Sequence, residues 1–212
     1  MKRRVERYKG FTLPEVLMAV WVMSIILTAV AALAFALSYA NDLTDETSAI
    51  QSKIRYTTIR LGELIKNSKL ICYNFGSEIA VWRADDNGDN RINGGEIVYI
   101  ETGSSNNCIK LLAFNPVGPA ASVQFTLAAV SDGSAKAWFK SNSPFNYTTL
   151  IDKCSYATFT TDTAAPFSKK VNLSFGIGQN GIIQNYQLST YMRCQGDYLL
   201  DAGGQIVSDD DL

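Results

Sequence analysis

No histidine occurs anywhere in the 212 residues. Without imidazole there is no Ser-His-Asp or Cys-His nucleophile system, and most catalytic zinc sites lose a ligand. Carboxylate chemistry remains open in principle, but no spacing of Asp and Glu marks a catalytic pair, so the chain reads as non-enzymatic. An excess of one charge is also lacking: 19 Lys and Arg stand against 20 Asp and Glu, a net charge of −1. Beyond the first ten residues there is no extended basic patch, and a nucleic-acid-binding surface would need one. The four cysteines show no CxxC spacing, which argues against a zinc ribbon or a thioredoxin-like motif. Internal repeats and low-complexity tracts are absent. The most consequential absence is local: no charge interrupts the run from Val16 to Leu37.

As a helix that run is about 33 Å long, enough to cross the hydrocarbon core of a bilayer. Lys2, Arg3, Arg4, Arg7 and Lys9 precede it against a single Glu6, while Asp42, Asp45 and Glu46 follow it with no basic residue until Lys53. The positive-inside rule therefore places the N-terminus in the cytoplasm and the rest outside. A conventional secretory signal is the alternative. Its apolar core should be shorter and end in a small-residue cleavage site, and Ala29 to Ala36 keeps that alternative open.

The junction before the run is Lys9-Gly10-Phe11-Thr12-Leu13-Pro14-Glu15. With its basic leader, Gly-Phe step, Glu and apolar helix, it resembles the class III signal of type IV pilins and pseudopilins. The resemblance covers residues 2 to about 37. It implies that prepilin peptidase cuts after Gly10 and that the new N-terminal Phe11 is methylated. A carboxylate at mid-membrane costs about 2.5 to 3.5 kcal/mol on insertion scales, so Glu15 calls for a partner. By the resemblance, it faces the free N-terminal amine of a neighbouring subunit during assembly. The plainer reading is an interfacial Glu near the headgroups. Pro14 departs from the commonest aliphatic residue of the family but fits a first helical turn.

From Asp42 to Lys69 there is no Pro and no Gly except Gly62. Ile50, Ile54, Leu61, Leu64 and Ile65 recur on one helical face, so the helix is expected to continue and become amphipathic. After Ser68, short β-branched and aromatic runs alternate with turn formers. The expected strands are Ile79–Arg83, Ile97–Glu101, Ile109–Phe114, Ser122–Leu127, Tyr156–Thr161, Val171–Ile177 and Ile183–Met192. The last two are joined through Gln179-Asn180-Gly181, a tight-hairpin signal. Loops are expected at Asn115–Ala121, Ser131–Ser134 and Ser141–Asn146, and a solvated tail at Asp209–Leu212. The fold class is therefore α+β: a long N-terminal helix, half membrane and half amphipathic, packed on an antiparallel sheet. By resemblance this is a pilin-like roll, closer in length and late hairpin to a minor pseudopilin. The domains are a leader at 1–10, a transmembrane and assembly helix at 11–38, and a periplasmic domain at 39–212.

Cys72, Cys108, Cys154 and Cys194 are an even set beyond a membrane segment, which suggests disulfides in an oxidising compartment. Three connectivities are possible. Cys72–Cys108 with Cys154–Cys194 is preferred because each pair lies within one half of the soluble region, and four free thiols is the alternative. A last motif is the twelve-residue stretch Asp85 to Glu96. Asp85, Asn87, Asp89, Asn93 and Glu96 place oxygen side chains at loop positions 1, 3, 5, 9 and 12, with the Arg91 carbonyl at 7. That is the ligand spacing of an EF-hand calcium loop. Asn90 replaces the usual Gly at position 6, and the flanks read as strands. An ordinary polar hairpin loop is the competing reading.

The expected function is structural: a pilin or pseudopilin subunit in the inner membrane, built into a fibre of a type II secretion system or type IV pilus. The partners implied are other such subunits, met through the N-terminal helix, and the prepilin peptidase, with no nucleic acid. The alternative is a membrane-anchored extracellular binding module that depends on calcium.

Overall fold

The computed structural model describes residues 10–103, 108–114, 119–141, 145–179, 182–193, 199–201 and 206–207. The basic leader, Asn180-Gly181, Cys194, the start of the loop at 115–121 and the tail at 209–212 lie outside them. By its internal contacts the chain divides into two compact units, Met1–Gln51 and Ser52–Leu212.

One helix, α1 (Leu13–Lys66), opens the chain. In the first unit its apolar side chains, from Leu13 through Trp21, Ile25 and Leu33 to Tyr39, are exposed on every side. The helix is long and apolar enough to cross a membrane. Within the second unit α1 becomes one-sided. Its buried residues are Ile54, Thr57, Leu61 and Ile65; of the expected face Leu64 is only partly covered, as is Ile50 in the first unit. Thr57 takes a place that hydrophobic periodicity could not assign, because its hydroxyl donates to the Leu150 carbonyl at 3.0 Å.

The second unit is α+β, with antiparallel sheets. Strands β1 (Leu70–Asn74), β2 (Glu78–Trp82), β4 (Ile97–Thr102), β5 (Ile109–Phe114) and β7 (Phe145–Ile151) form one sheet in the order β1-β2-β4-β5-β7. Strands β8 (Tyr156–Thr161), β9 (Lys170–Gln179) and β10 (Ile182–Tyr191) form a second, ordered β10-β9-β8. The short β3 (Ile92–Asn93) pairs with β6 (Gln124–Phe125). Two helices, α2 (Leu127–Ser131) and α3 (Ser134–Ser141), stand where the sequence pattern predicts a strand end at Leu127, loops at Ser131–Ser134 and from Ser141, and no element over 135–140. The expected strand over Ser122–Leu127 shrinks to Gln124–Phe125. Thr126 ends it by accepting the Ala129 N–H at 3.1 Å, which caps α2.

The larger sheet is buried on both faces. Leu70, Ala80, Trp82, Ile97, Tyr99 and Leu112 form a core cluster with Leu127, Val130, Ala135 and Phe139 of α2 and α3. The alternate residues Ile71, Ile79, Val81, Val98 and Ile100 are buried as well, as the two-residue period of a strand requires. In the smaller sheet, Gln179 of β9 pairs with Ile182 of β10, so two residues connect them as the Asn-Gly signal implied. One row crosses all three strands there. Tyr156 is opposite Gly176, and Gly176 is opposite Asn185. The Tyr156 ring spans the glycine, and its hydroxyl meets Asn185 Oδ1 at 3.1 Å. A Cβ on Gly176 would approach Tyr156 Cε1 to 2.6 Å and Ile183 Cγ2 to 2.9 Å, so only glycine leaves room.

Candidate functional site

Two of the residue sets singled out by sequence lie in well-defined surroundings. At the start of α1, Gly10 and Phe11 precede the first helical turn, and Phe11 is 87% exposed. Thr12 is the residue before the helix, and Glu15 is its third residue. Glu15 Oε2 accepts both the Thr12 N–H and the Thr12 hydroxyl, each at 2.9 Å. This is one arm of a capping box, in which a Glu reaches back to satisfy an N–H that the helix cannot. Glu15 therefore has a local partner inside its own chain, which the sequence reading did not foresee.

The stretch from Asp85 to Glu96 lies between β2 and β4, which pair directly with each other, so the loop is the long connection of a hairpin. Asn90 holds a φ of 54° and Gly88 one of 70°, the left-handed conformations that let so short a segment coil on itself. Three carboxylates organise it. Asp85 Oδ1 accepts from the N–H groups of Gly88 and Asp89, at 2.8 and 3.2 Å, and Oδ2 accepts from Asn90 at 2.9 Å. The Lys69 ammonium lies 3.6 Å from that second oxygen and 5.2 Å from the centre of the Trp82 ring. Glu96 is buried. Its Oε2 accepts from Trp82 Nε1 at 3.2 Å and from the Asn93 N–H at 3.1 Å, and its Oε1 accepts from the Asp86 N–H at 2.9 Å. Asp89 is held by Asn87, Asn93, Gln124 and the Arg91 N–H. Burial pushes its carboxyl up, but these donors outweigh burial and keep it below the ordinary carboxylate value.

Asn93 stands at the centre of this arrangement. Its Nδ2 lies 3.1 Å from both Asp89 oxygens and 3.4 Å from the Arg91 carbonyl and Glu96 Oε2. Four of the oxygens expected as ligands thus converge on one point, and the amide nitrogen stands at it. Asn93 Oδ1 is buried without a hydrogen-bond partner. Asp85 is drawn away to Lys69 and the backbone. Among the described residues, no three Asp, Glu or Cys side chains are grouped closely enough to hold a metal ion. Beside the loop is a cleft of about 320 Å³ whose lining includes Arg91, Ile92, Gln124, Phe125, Leu127 and Ile206.

A third cluster escaped sequence reading because its members come from three separate elements. Glu78 of β2 and Glu101 of β4 are directly opposite each other. Lys136 of α3 forms ion pairs with both carboxylates, the one to Glu101 at 2.6 Å. The Lys136 side chain is 14% exposed, and its ammonium lies 5.9 Å from the Tyr99 ring centre. Tyr147 also faces Glu101. Burial and that negative charge push its hydroxyl up to about 12.

The cysteines require a correction. Among the described residues Cys72, Cys108 and Cys154 are unbonded. The preferred pairing of Cys72 with Cys108 fails on topology. Cys72 is in β1 and Cys108 adjoins β5, three strand spacings away in the sheet order, or roughly 14 Å. A disulfide needs Cα atoms within about 7 Å. Proximity in sequence misled here because the strand order folds β2 and β4 between them. Cys154, whose expected partner Cys194 lies outside the described residues, stands at the same end of the β5–β7 pair as Cys108. Burial first, and then Cys108, push its thiol up to about 11. Comparisons with protein families, with curated proteins and with solved structures find no match to this chain.

Proposed function

We propose that this chain is a minor pilin or pseudopilin, a structural subunit of a fibre of the type II secretion or type IV pilus kind, folded as a pilin-like roll. One observation carries the reading. A single helix starts three residues after the Gly10-Phe11 junction, exposes apolar side chains on every side, and ends with a buried stripe in an α+β domain. A helix that is apolar all round needs lipid or other apolar helices as its surroundings. Both are supplied if the subunit waits in the inner membrane, N-terminus in the cytoplasm, and is then packed among its neighbours. Cleavage after Gly10 by prepilin peptidase would remove the basic leader and free an amine at Phe11. Glu15, four residues further along, is the natural counter-charge for such an amine on an adjacent subunit. No step in this function turns over a substrate. Protein recovered from cells is expected to begin at N-methylated Phe11 by intact mass and N-terminal sequencing. Retention of Met1, or a cut near Ala36, overturns the proposal.

The convergence of oxygens on Asn93 favours a second reading, a membrane-anchored binding module that depends on calcium. Asp89, the Arg91 carbonyl and Glu96 would hold the ion, with Asp85 and Asn87 on the flank. Rotation of the Asn93 amide would bring its unpartnered Oδ1 inward. The ion would supply positive charge where three carboxylates now depend on N–H donors, and the adjoining cleft is of small-ligand size. Stabilisation is expected to follow mass action, about 2.7 kcal/mol when free calcium is 100 times the dissociation constant. Extracellular calcium sites commonly bind at about 10⁻⁴ to 10⁻³ M, so the site would fill outside the cell. The full chain in detergent should melt higher in millimolar calcium than in chelator, and Glu96→Gln should abolish the difference. If calcium leaves the melting temperature unchanged, the stretch is a self-sufficient hairpin loop.

A further inference from the structure

We propose that Cys108 and Cys154 form a disulfide that staples the outermost strand of the larger sheet. The inference is independent of the pilin reading, since it rests on strand register alone. Ile109 opens β5 and pairs with Ile151, the last residue of β7. Cys108 immediately precedes Ile109, and Cys154 follows Ile151 by three residues, so both thiols lie at the same end of the same strand pair. Cys108 is buried and Cys154 half-buried. The Gly103 N–H donates to the Cys108 carbonyl at 2.9 Å, and the Ser155 N–H to the Gly176 carbonyl at 2.7 Å, which fixes the backbone beside each. Cys72, three strand spacings away and fully buried in the core cluster, cannot compete for either.

The bond would have mechanical consequences for the contact between α1 and the sheet. β7 is an edge strand, held on one side only by β5. It carries the Leu150 carbonyl that Thr57 of α1 engages, and Asp152, the residue after its last, Ile151, forms an ion pair with Lys53 at 2.9 Å. A covalent link at this end would keep the strand under the helix even when its hydrogen bonds fray. Formation needs an oxidant, here a small-molecule or protein disulfide. The more exposed Cys154, as thiolate, attacks the oxidant and releases one of its thiols, giving a mixed disulfide. Cys108, also as thiolate, then attacks Cys154 Sγ and releases the second. Two protons and two electrons leave the cysteine pair, one S–S bond is made and one is broken. Because burial disfavours the thiolate of Cys154, closure should speed up as pH rises.

Trypsin places the four cysteines on four different peptides, so the test is a peptide map. The full chain in detergent is equilibrated with oxidised and reduced glutathione, alkylated under denaturing conditions, digested and analysed by mass spectrometry. The expected product joins the peptide ending at Lys110 to the one beginning at Cys154, and reductant abolishes it. Cys108→Ser should leave Cys154 alkylated or joined to glutathione but in no cross-linked peptide, while Cys72→Ser should leave the link intact. The proposal is overturned if Cys108 or Cys154 is instead joined to Cys72 or Cys194. It is equally overturned if both thiols are fully alkylated in oxidised glutathione.

Discussion

Replacing Lys136 with Met is expected to destabilise the second unit by about 3 to 5 kcal/mol, a large share of the stability of an ordinary domain. Glu78 and Glu101 are directly opposite across β2 and β4, where like charges repel. Lys136 is the cation between them. Its side chain and both carboxylates are mostly covered, at 14%, 21% and 15% exposure. Removing the ammonium strands two covered charges face to face, which costs far more than loss of a surface pair. If that is the cause, adding Glu78→Gln and Glu101→Gln to Lys136→Met should recover most of the loss in urea unfolding. Failure of the triple variant to recover would assign the loss to packing under α3 instead. The pH dependence has a definite sign. Burial lowers the Lys136 value, but the hydrogen bonds and charges of Glu101 and Glu78 outweigh it and hold the group above its ordinary value. A raised value means that the folded state binds the proton more tightly than the unfolded chain. The contribution is therefore complete below about pH 10.4 and is lost as pH climbs through the folded value.

Glu15→Leu is expected to leave membrane insertion and leader cleavage intact while reducing incorporation into a fibre by about a hundredfold. The size follows from leaving an amine unpaired among apolar helices, about 2.5 to 3.5 kcal/mol, with every 1.4 kcal/mol a factor of ten. The contacts of Glu15 with Thr12 supply a competing explanation, since losing a cap can also disturb the first turn. Glu15→Gln separates the two. A glutamine carbonyl still accepts from Thr12 but carries no charge. If Glu15→Gln enters fibres as well as the natural chain, neutralisation between subunits is the wrong role and the residue acts only as a cap.

The parts of this molecule legible in sequence are those governed by neighbours in the chain. The long helix followed from an uncharged run and a 3.6-residue period. β5 and β8 have the bounds expected, and the β9–β10 hairpin followed from its turn. β1 was missed because Leu70 to Tyr73 is a continuous apolar run parted from the helix by only Asn67, Ser68 and Lys69, with no Gly or Pro to mark the break. α2 and α3 were missed because each is too short to show a period. The acidic loop stands out in the sequence, but spacing could not tell that Asp85 turns to Lys69 or that Glu96 turns inward to Trp82. The Lys136 cluster left no trace in sequence at all, since its charges are brought together only by sheet register and the placement of α3. The cysteine pairing failed for the same reason: it depends on strand order, which no local signal encodes.

The row Tyr156, Gly176 and Asn185 binds three distant positions into one unit of variation. A ring can cross the middle strand only while position 176 has no side chain, and it has reason to cross only while position 185 offers an oxygen. None of the three can therefore drift alone. A larger residue at 176 would have to arrive together with a smaller one at 156 and a shift of Ile183, and the amide at 185 would then be released from its partner. Such a triplet behaves as a single character spelled across the sheet rather than along the chain, and its letters should change together or not at all.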